Sequence, residues 1–103
     1  MNKYRAKPTE FQGVRFASKL EAEFAQTLET LRYAHSDNVR VVWWERQIPF
    51  QLPWGTKHTV DFVVGKADGS WCLVEVKGME TREARERRRA LEWFLGFPIT
   101  VWP

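Results

Sequence analysis

The chain has 103 residues, of which 44% are hydrophobic, 15% aromatic and 28% charged. This length and composition predict a single globular domain over residues 1–103 and exclude a disordered chain, because disordered segments are poor in aromatic residues. Sixteen basic and thirteen acidic residues leave a net charge of +3, which permits nucleic acid as a partner without requiring it. The single cysteine, Cys72, excludes a disulfide within the chain and a cysteine-rich zinc site.

The amino-terminal stretch and the longest apolar runs bear on location. No apolar run reaches the ~20 residues that a membrane span needs, and residues 1–10 lack the apolar segment of a secretory signal. We therefore expect a cytoplasmic protein, in the host cytoplasm if it is encoded by a phage, with no membrane partner and no small-molecule cofactor. Residues 1–10 are predicted to form a flexible basic arm. Ten arginines against six lysines hint at a thermophilic source.

The first half of the chain predicts a helix followed by a strand. Residues 11–16 are expected to form a short extended piece around a glycine. Ser18 opens a helix to about Ala34, with an apolar stripe at helical spacing. A strand rich in β-branched and aromatic residues follows over 39–45. Residues 47–52 continue it, and Pro49 requires a bulge or a sheet edge there.

The second half predicts a hairpin, a helix and a last strand. Residues 57–64 and 71–77 are the two strands of the hairpin, and Val60 and Phe62 share its core face. Thr81 caps a helix that reaches about Leu95, with Phe94 in its buried stripe. Residues 99–102 form a short strand parallel to 71–77 through the helical crossover. The order is α-β-β-β-α-β.

Two carboxylates share the other face of the hairpin. If the hairpin is symmetric about Asp68, Asp61 lies opposite Glu75, and their Cβ atoms are about 4.5–5.5 Å apart. Carboxylates at that separation repel unless a divalent cation such as Mg²⁺, which prefers oxygen ligands, lies between them. A register shift of one residue would instead put them on opposite faces, and Lys77 would otherwise only neutralise Glu75 at the end of the sheet.

A third carboxylate lies on the first helix. At 100° per residue, Glu21 lies roughly 60° from the centre of the apolar stripe, where its side chain reaches the edge of the buried face. The alternative is structural, because Ser18 and Glu21 form the S-x-x-E pattern of a capping box. Both interpretations stay open at this point.

The ordered set of Glu21 on a helix, Asp61, and Glu75-Val76-Lys77 resembles the PD-(D/E)XK nuclease superfamily. The proline that usually precedes the aspartate is replaced here by Val60. The chain is also similar to a small phage and bacterial branch whose signature is a basic arm with a tyrosine, then G-x-R-F-x-S-K-x-E, D-F and E-V-K-G. Those segments are residue 4 and residues 13–21, 61–62 and 75–78.

The resemblance implies a fold and an activity. The implied fold is α/β (α+β), with a restriction-endonuclease-like αβββαβ core in which helices flank a mixed sheet. The implied activity is metal-dependent, structure-selective hydrolysis of DNA phosphodiesters, with a Holliday-junction resolvase as the first expectation. The alternatives are a nuclease of the same fold that cuts flaps, nicks, mismatches or duplex, and a non-catalytic DNA-binding module.

The resemblance also implies residue roles. Asp61, Glu75 and the backbone carbonyl of Val76 would hold Mg²⁺, for which Mn²⁺ would substitute, and Glu21 would bind the metal directly or through water. Lys77 would orient the nucleophile and the phosphate. The implied catalytic residues are therefore Glu21, Asp61, Glu75 and Lys77.

Basic residues supply the expected contacts to branched or duplex DNA. These residues are Lys3, Arg5, Lys7, Arg15, Lys19, Arg85 and Arg88. The arm residues are the better candidates, because a mobile basic arm costs little to extend along a DNA backbone. For the arginines of the second helix, ion pairs with the interleaved glutamates are the competing explanation.

The aromatic content and the two histidines complete the expectations. Six tryptophans exceed what one small core can bury, so we expect an exposed apolar patch that a homodimer would cover. Two sites at fixed spacing also suit symmetric incision of a four-way junction. His35 and His58 are expected at the surface, and Cys72 in the core.

Overall fold

The computed structural model describes residues 9–103. These residues form a mixed α+β fold with two helices, a small hairpin and a four-stranded mixed sheet. The strands are β1 (Thr9–Phe11), β2 (Val14–Phe16), β3 (Val41–Gln51), β4 (Lys57–Lys66), β5 (Trp71–Val76) and β6 (Thr100–Trp102). The helices are α1 (Lys19–Leu31) and α2 (Arg82–Leu95). The predicted order α-β-β-β-α-β is confirmed, with the β1–β2 hairpin in front of it.

The start of α1 follows the prediction, and its end does not. Ser18 has extended backbone angles, and its Oγ accepts a hydrogen bond from the Glu21 N–H at 3.1 Å, as an N-cap does. The helix ends at Leu31, three residues before the predicted end, because the N–H groups of residues 32–34 bond to carbonyls three residues back and tighten the chain into a turn. Its buried side chains, among them Phe24 and Leu28, cover one face of the sheet.

The four-stranded sheet has the order β3-β4-β5-β6. Its first three strands are antiparallel, and β6 is parallel to β5, as the helical crossover predicted. Because β3 lies at the edge, Pro49 is accommodated within one continuous strand, where its missing N–H interrupts no second ladder.

Only one side chain of α2 is fully buried. Leu91 is 0% exposed, and it packs with residues of β4, β5 and the segment before β6. Thr81 caps the start of α2 as predicted, and Gly96, at φ 86°, ends it in the left-handed conformation that glycine adopts without strain. The placement of Phe94 in the buried stripe is wrong, since it is 44% exposed. The helix lies on the sheet along its Leu91 line and turns Phe94 outward.

The side chains of β4 change from one face of the sheet to the other between Val60 and Phe62. Phe62 packs in the cluster under α1, whereas Val60, two residues earlier in the same strand, packs in the cluster under α2. A regular strand would put both on one face, so their predicted common core face is wrong. Gln47, which lies between the Arg46–Phe62 and Ile48–Val60 pairs of the β3–β4 ladder and is itself unpaired there, has φ 57°. The departure from regular strand geometry at this level lets the paired strands reach both layers of the core.

Candidate metal-binding site

Asp61 lies where β4 and β5 stop pairing. The antiparallel ladder ends at Phe62 and Val74, and the same register continued by one residue brings Asp61 level with Glu75. This is the register that the symmetric turn predicted, and the ladder contains no one-residue shift. The Val76 N–H donates a hydrogen bond to Asp61 Oδ2 at 2.8 Å. The carboxylate therefore satisfies a backbone donor of β5 beyond the end of the ladder, and this bond fixes Asp61 beside the Glu75–Val76 peptide.

Glu75 is a buried carboxylate with two differently engaged oxygens. Its exposed fraction is 2%, and the His58 imidazole lies with Nε2 2.5 Å from Oε2. Among residues 9–103, no hydrogen-bond partner reaches Oε1. Burial raises the pKa of Glu75, but the hydrogen bond from His58 and the charges of Lys77 and Arg88 outweigh that effect and hold the pKa below its ordinary value. Glu75 is thus a carboxylate with one oxygen available to a further ligand.

His58 is the site residue that the sequence analysis missed. Its side chain is only 9% exposed, so its expected place at the surface is wrong, whereas His35 is exposed as predicted. By strict alternation His58 would share a face with Phe62, away from Glu75. The exchange of faces at Asp61 turns it toward the acid. The only sequence signal of this irregularity is Pro49, two residues from the distorted Gln47.

Two arginines of α2 converge on Glu80, just before the helix. Arg88 forms an ion pair with Glu80, and its side chain is only 11% exposed. The Arg85 Nε lies 3.4 Å from the other carboxylate oxygen of Glu80, with the Arg85 side chain 47% exposed. Arg88 is therefore an internal charge near Glu75, and the competing ion-pair interpretation applies to it. Arg85 is both paired and accessible.

Glu21 is buried in the first turn of α1, close to the end of β5. Its exposed fraction is 9%. A Cβ added to Gly78 would lie 3.5 Å from Leu20 Cδ2, so the first turn of α1 contacts the E-V-K-G segment. The Glu21 N–H bonds to Ser18, which supplies half of the capping box. Among residues 9–103, however, no three His, Cys, Asp or Glu side chains are grouped closely enough to hold a metal ion together.

The expected DNA contacts fall in different places. Lys3, Arg5 and Lys7, together with the flexible arm, lie outside the described residues. Arg15 in β2 and Lys19 at the start of α1 are exposed. Their backbones flank the loop that leads into the helix carrying Glu21.

The carboxylates of Asp61 and Glu75 are the type of ligand that suits a hard divalent cation held by few protein groups. Mg²⁺ in proteins is held by one or two carboxylates, and water and substrate phosphate supply its remaining oxygen ligands. Asp61 and Glu75 are adjacent in register, each is engaged by the protein through one oxygen, and Glu75 keeps a buried oxygen without a partner. The two acids thus supply oxygen donors of the type that a hard divalent cation binds.

Large aromatic side chains are exposed on several elements. Trp54 and Trp71 are about half exposed, at 51% and 53%, and Trp93 on α2 is 79% exposed. Trp43 in β3 is 45% exposed. The expectation that the tryptophans exceed the capacity of one core is confirmed.

The chain belongs to the family described as protein of unknown function (DUF1064), whose model matches residues 1–94. A search of curated proteins finds no match. Neither helix among residues 9–103 combines the length and apolar character needed to cross a membrane.

Proposed function

We propose that this protein is a divalent-metal-dependent DNA endonuclease that cuts branched DNA in the manner of a Holliday-junction resolvase. One observation carries the proposal: Asp61 is tied to the Val76 N–H where β4 and β5 separate, directly beside a buried Glu75 with an oxygen that lacks a partner among the described residues. Two carboxylates next to a lysine, at a point where strands separate, suit metal-assisted attack on a phosphodiester.

Asp61, Glu75 and the Val76 carbonyl are the proposed metal-holding groups, for Mg²⁺ or Mn²⁺. When bound, the metal would lower the pKa of a water molecule and neutralise charge on the non-bridging phosphate oxygens. His58 holds one oxygen of Glu75 and leaves the other available. Glu21 is proposed to act through water, because it lies in the turn of α1 that contacts Gly78 and is not grouped with two other acids.

Lys77 and the exposed basic residues are proposed to handle the substrate phosphates. Lys77 follows Val76 directly, and its positive charge helps to lower the pKa of Glu75, so its ammonium is the proposed partner of a phosphate held by the two acids. Arg15, Lys19 and Arg85 are exposed basic residues that we propose for contacts to the DNA backbone, and Lys3, Arg5 and Lys7 are proposed to add further contacts.

A homodimer is part of the proposal. Symmetric incision of a four-way junction needs two sites at fixed spacing, and the exposed Trp43 and Trp71 offer apolar surface that a second copy would cover. An analytical ultracentrifugation measurement of mass, with and without junction DNA, tests this part independently of cleavage.

The decisive experiment is cleavage of a synthetic four-way junction in Mg²⁺, with linear duplex, a flap and a nicked duplex as competing substrates. We expect paired, symmetric cuts in the junction and sparing of linear duplex. Glu75→Gln and Lys77→Ala should reduce the rate by at least roughly 100-fold, which is the loss of about 2.7 kcal/mol of transition-state stabilisation. Glu45→Gln, at an exposed position of β3, is the control that should retain the rate.

A second candidate is a non-catalytic DNA-binding module of the same fold. It is favoured by the surroundings of Glu75, whose charge is already balanced by His58, Lys77 and Arg88. In that case the wild-type protein binds junction DNA without cutting it, and Glu75→Gln leaves the binding unchanged. Cleavage of flaps or nicks instead of junctions would keep the chemistry and replace the substrate.

A further inference from the structure

His58, which contacts Glu75, also lines a cleft. The cleft is formed between the segment that joins β3 to β4, including the start of β4, and one face of α2, and its volume is about 350 Å³. The β3–β4 side contributes Leu52, Trp54 and His58. The helix contributes Ala90 and the charged residues Glu83, Arg87 and Glu86, the last of which is paired with Arg82. Small-molecule sites begin at about 300 Å³, so the cleft has room for one compact ring system and little more.

The cleft carries the groups that recognise a nucleobase. The Trp54 indole is half exposed, and the edge-on ring of Phe94, 6.1 Å away at an interplanar angle of 84°, fixes its orientation. An exposed indole face is a stacking platform for any base. Within the described part of the chain, neither Glu83 nor Arg87 forms a salt bridge, so both are available to a ligand.

The charges select among bases. A carboxylate accepts hydrogen bonds from an exocyclic amino group, which adenine, cytosine and guanine carry and thymine lacks. A guanidinium binds the phosphate of the same or the next nucleotide. Glu83 and Arg87 lie four residues apart on one face of α2, and both line the cleft. The carboxylate and the guanidinium can therefore contact the same ligand.

We propose that this cleft binds one unpaired nucleobase with an exocyclic amino group, stacked on Trp54, from the strand whose phosphate lies at Asp61 and Glu75. His58 lines the cleft and also contacts Glu75 Oε2 at 2.5 Å, so one imidazole separates the base from the acid pair. A base paired within a duplex is not presented to such a cleft, so the substrate carries an unpaired or extruded base beside the cut. The inference rests on the proposed nuclease function for the identity of the strand.

The test uses 2-aminopurine, a fluorescent base with an exocyclic amino group, placed as a single-base bulge in duplex DNA. In EDTA, so that no cleavage occurs, binding of wild-type protein should quench its emission through stacking on the indole, and fully paired 2-aminopurine should show no such change. Trp54→Ala should abolish the quenching and weaken binding about tenfold or more. Trp93→Ala, which removes an exposed indole outside the cleft, should behave as wild type.

A second variant keeps the test decisive if Trp54→Ala misfolds. Ala90→Leu fills the cleft from the helix side without adding an indole, and it should block quenching while circular dichroism shows an intact fold. With short single strands, wild-type protein should prefer oligo-dC to oligo-dT about fivefold or more, and Glu83→Ala should lose that preference.

The outcomes separate the two proposals. Wild-type protein that cuts junctions without quenching 2-aminopurine overturns the base-binding cleft alone. Quenching without cleavage in Mg²⁺ supports the cleft and overturns the nuclease. Equal loss of quenching in the Trp54 and Trp93 variants, or a change in oligomeric mass in Trp54→Ala with no change in quenching, would assign the exposed indole to a contact between copies and overturn the cleft.

Discussion

Asp61 is expected to have two separable roles, and substitution by asparagine or alanine distinguishes them. Its Oδ2 accepts the Val76 N–H at 2.8 Å, which is a structural role. Its negative charge beside Glu75 is the proposed metal-binding role. Asparagine keeps an oxygen acceptor of the same reach and loses the charge, whereas alanine loses both.

The structure sets the expected magnitudes. A hydrogen bond to an ionised acceptor is worth about 1.5–3 kcal/mol, and water replaces part of it at a half-buried position. We therefore expect Asp61→Ala to lower the free energy of unfolding by about 1–2 kcal/mol, and Asp61→Asn by less than about 1 kcal/mol. For a chain of this size the alanine variant should melt about 4–15 °C lower. Both variants should lose junction cleavage by at least roughly 100-fold.

Urea unfolding followed by tryptophan fluorescence measures the first effect, and junction cleavage in Mg²⁺ measures the second. Glu45→Ala, at an exposed strand position, is the control and should change stability by no more than about 0.5 kcal/mol. If Asp61→Ala unfolds at the wild-type urea concentration, the bond to Val76 does not stabilise the separated strands. If Asp61→Asn cuts at the wild-type rate, the charge at this position is not needed and the metal assignment is wrong.

Two further predictions concern the buried Leu91 of α2 and the hydrogen-bonded Glu29 of α1. Leu91→Ala should lower the free energy of unfolding by about 2–5 kcal/mol, since Leu91 is the one fully buried residue of α2. The control Trp93→Ala, at an exposed position, should lower it by less than about 0.5 kcal/mol. Similar losses in both variants, measured by urea unfolding, would mean that α2 is not anchored at Leu91. A hydrogen bond from Arg32, and to a smaller extent one from Trp44, holds the pKa of Glu29 below its ordinary value of 4.5. Ionised Glu29 therefore stabilises the fold above pH 4.5, and this stabilisation is lost as the pH falls through the lowered pKa. Glu29→Gln should therefore destabilise by roughly 1 kcal/mol at pH 7 and converge with wild type in acid, and a constant difference from pH 7 to pH 3 would contradict the linkage.

The sequence predicted much of the site because the decisive patterns are local. The symmetric turn at Asp68 fixes the β4–β5 register, and a register fixes which residues are level with each other. This register, continued by one residue beyond the last pair, puts Asp61 level with Glu75, as predicted. The serine cap that places Glu21 in the first turn of α1 is equally local.

The surroundings of Glu75 could not be predicted in the same way. Strict alternation sends His58 to the wrong face, and helical periodicity alone does not show that Arg88 turns inward to Glu80. Both placements depend on how the side chains of the sheet are divided between the core under α1 and the core under α2. No local sequence pattern contains that information.

The sequence by itself determined the element order, the helix caps, the edge position of Pro49 and the register that puts Asp61 level with Glu75, since each follows from contacts within a few residues or across one tight turn. Only the tertiary structure decided the exchange of faces between Val60 and Phe62. Sheet residues there must fill the core under α1 on one side and the core under α2 on the other, and the chain meets both demands by giving up regular alternation at Asp61 and Gln47. That exchange brings His58 to Glu75.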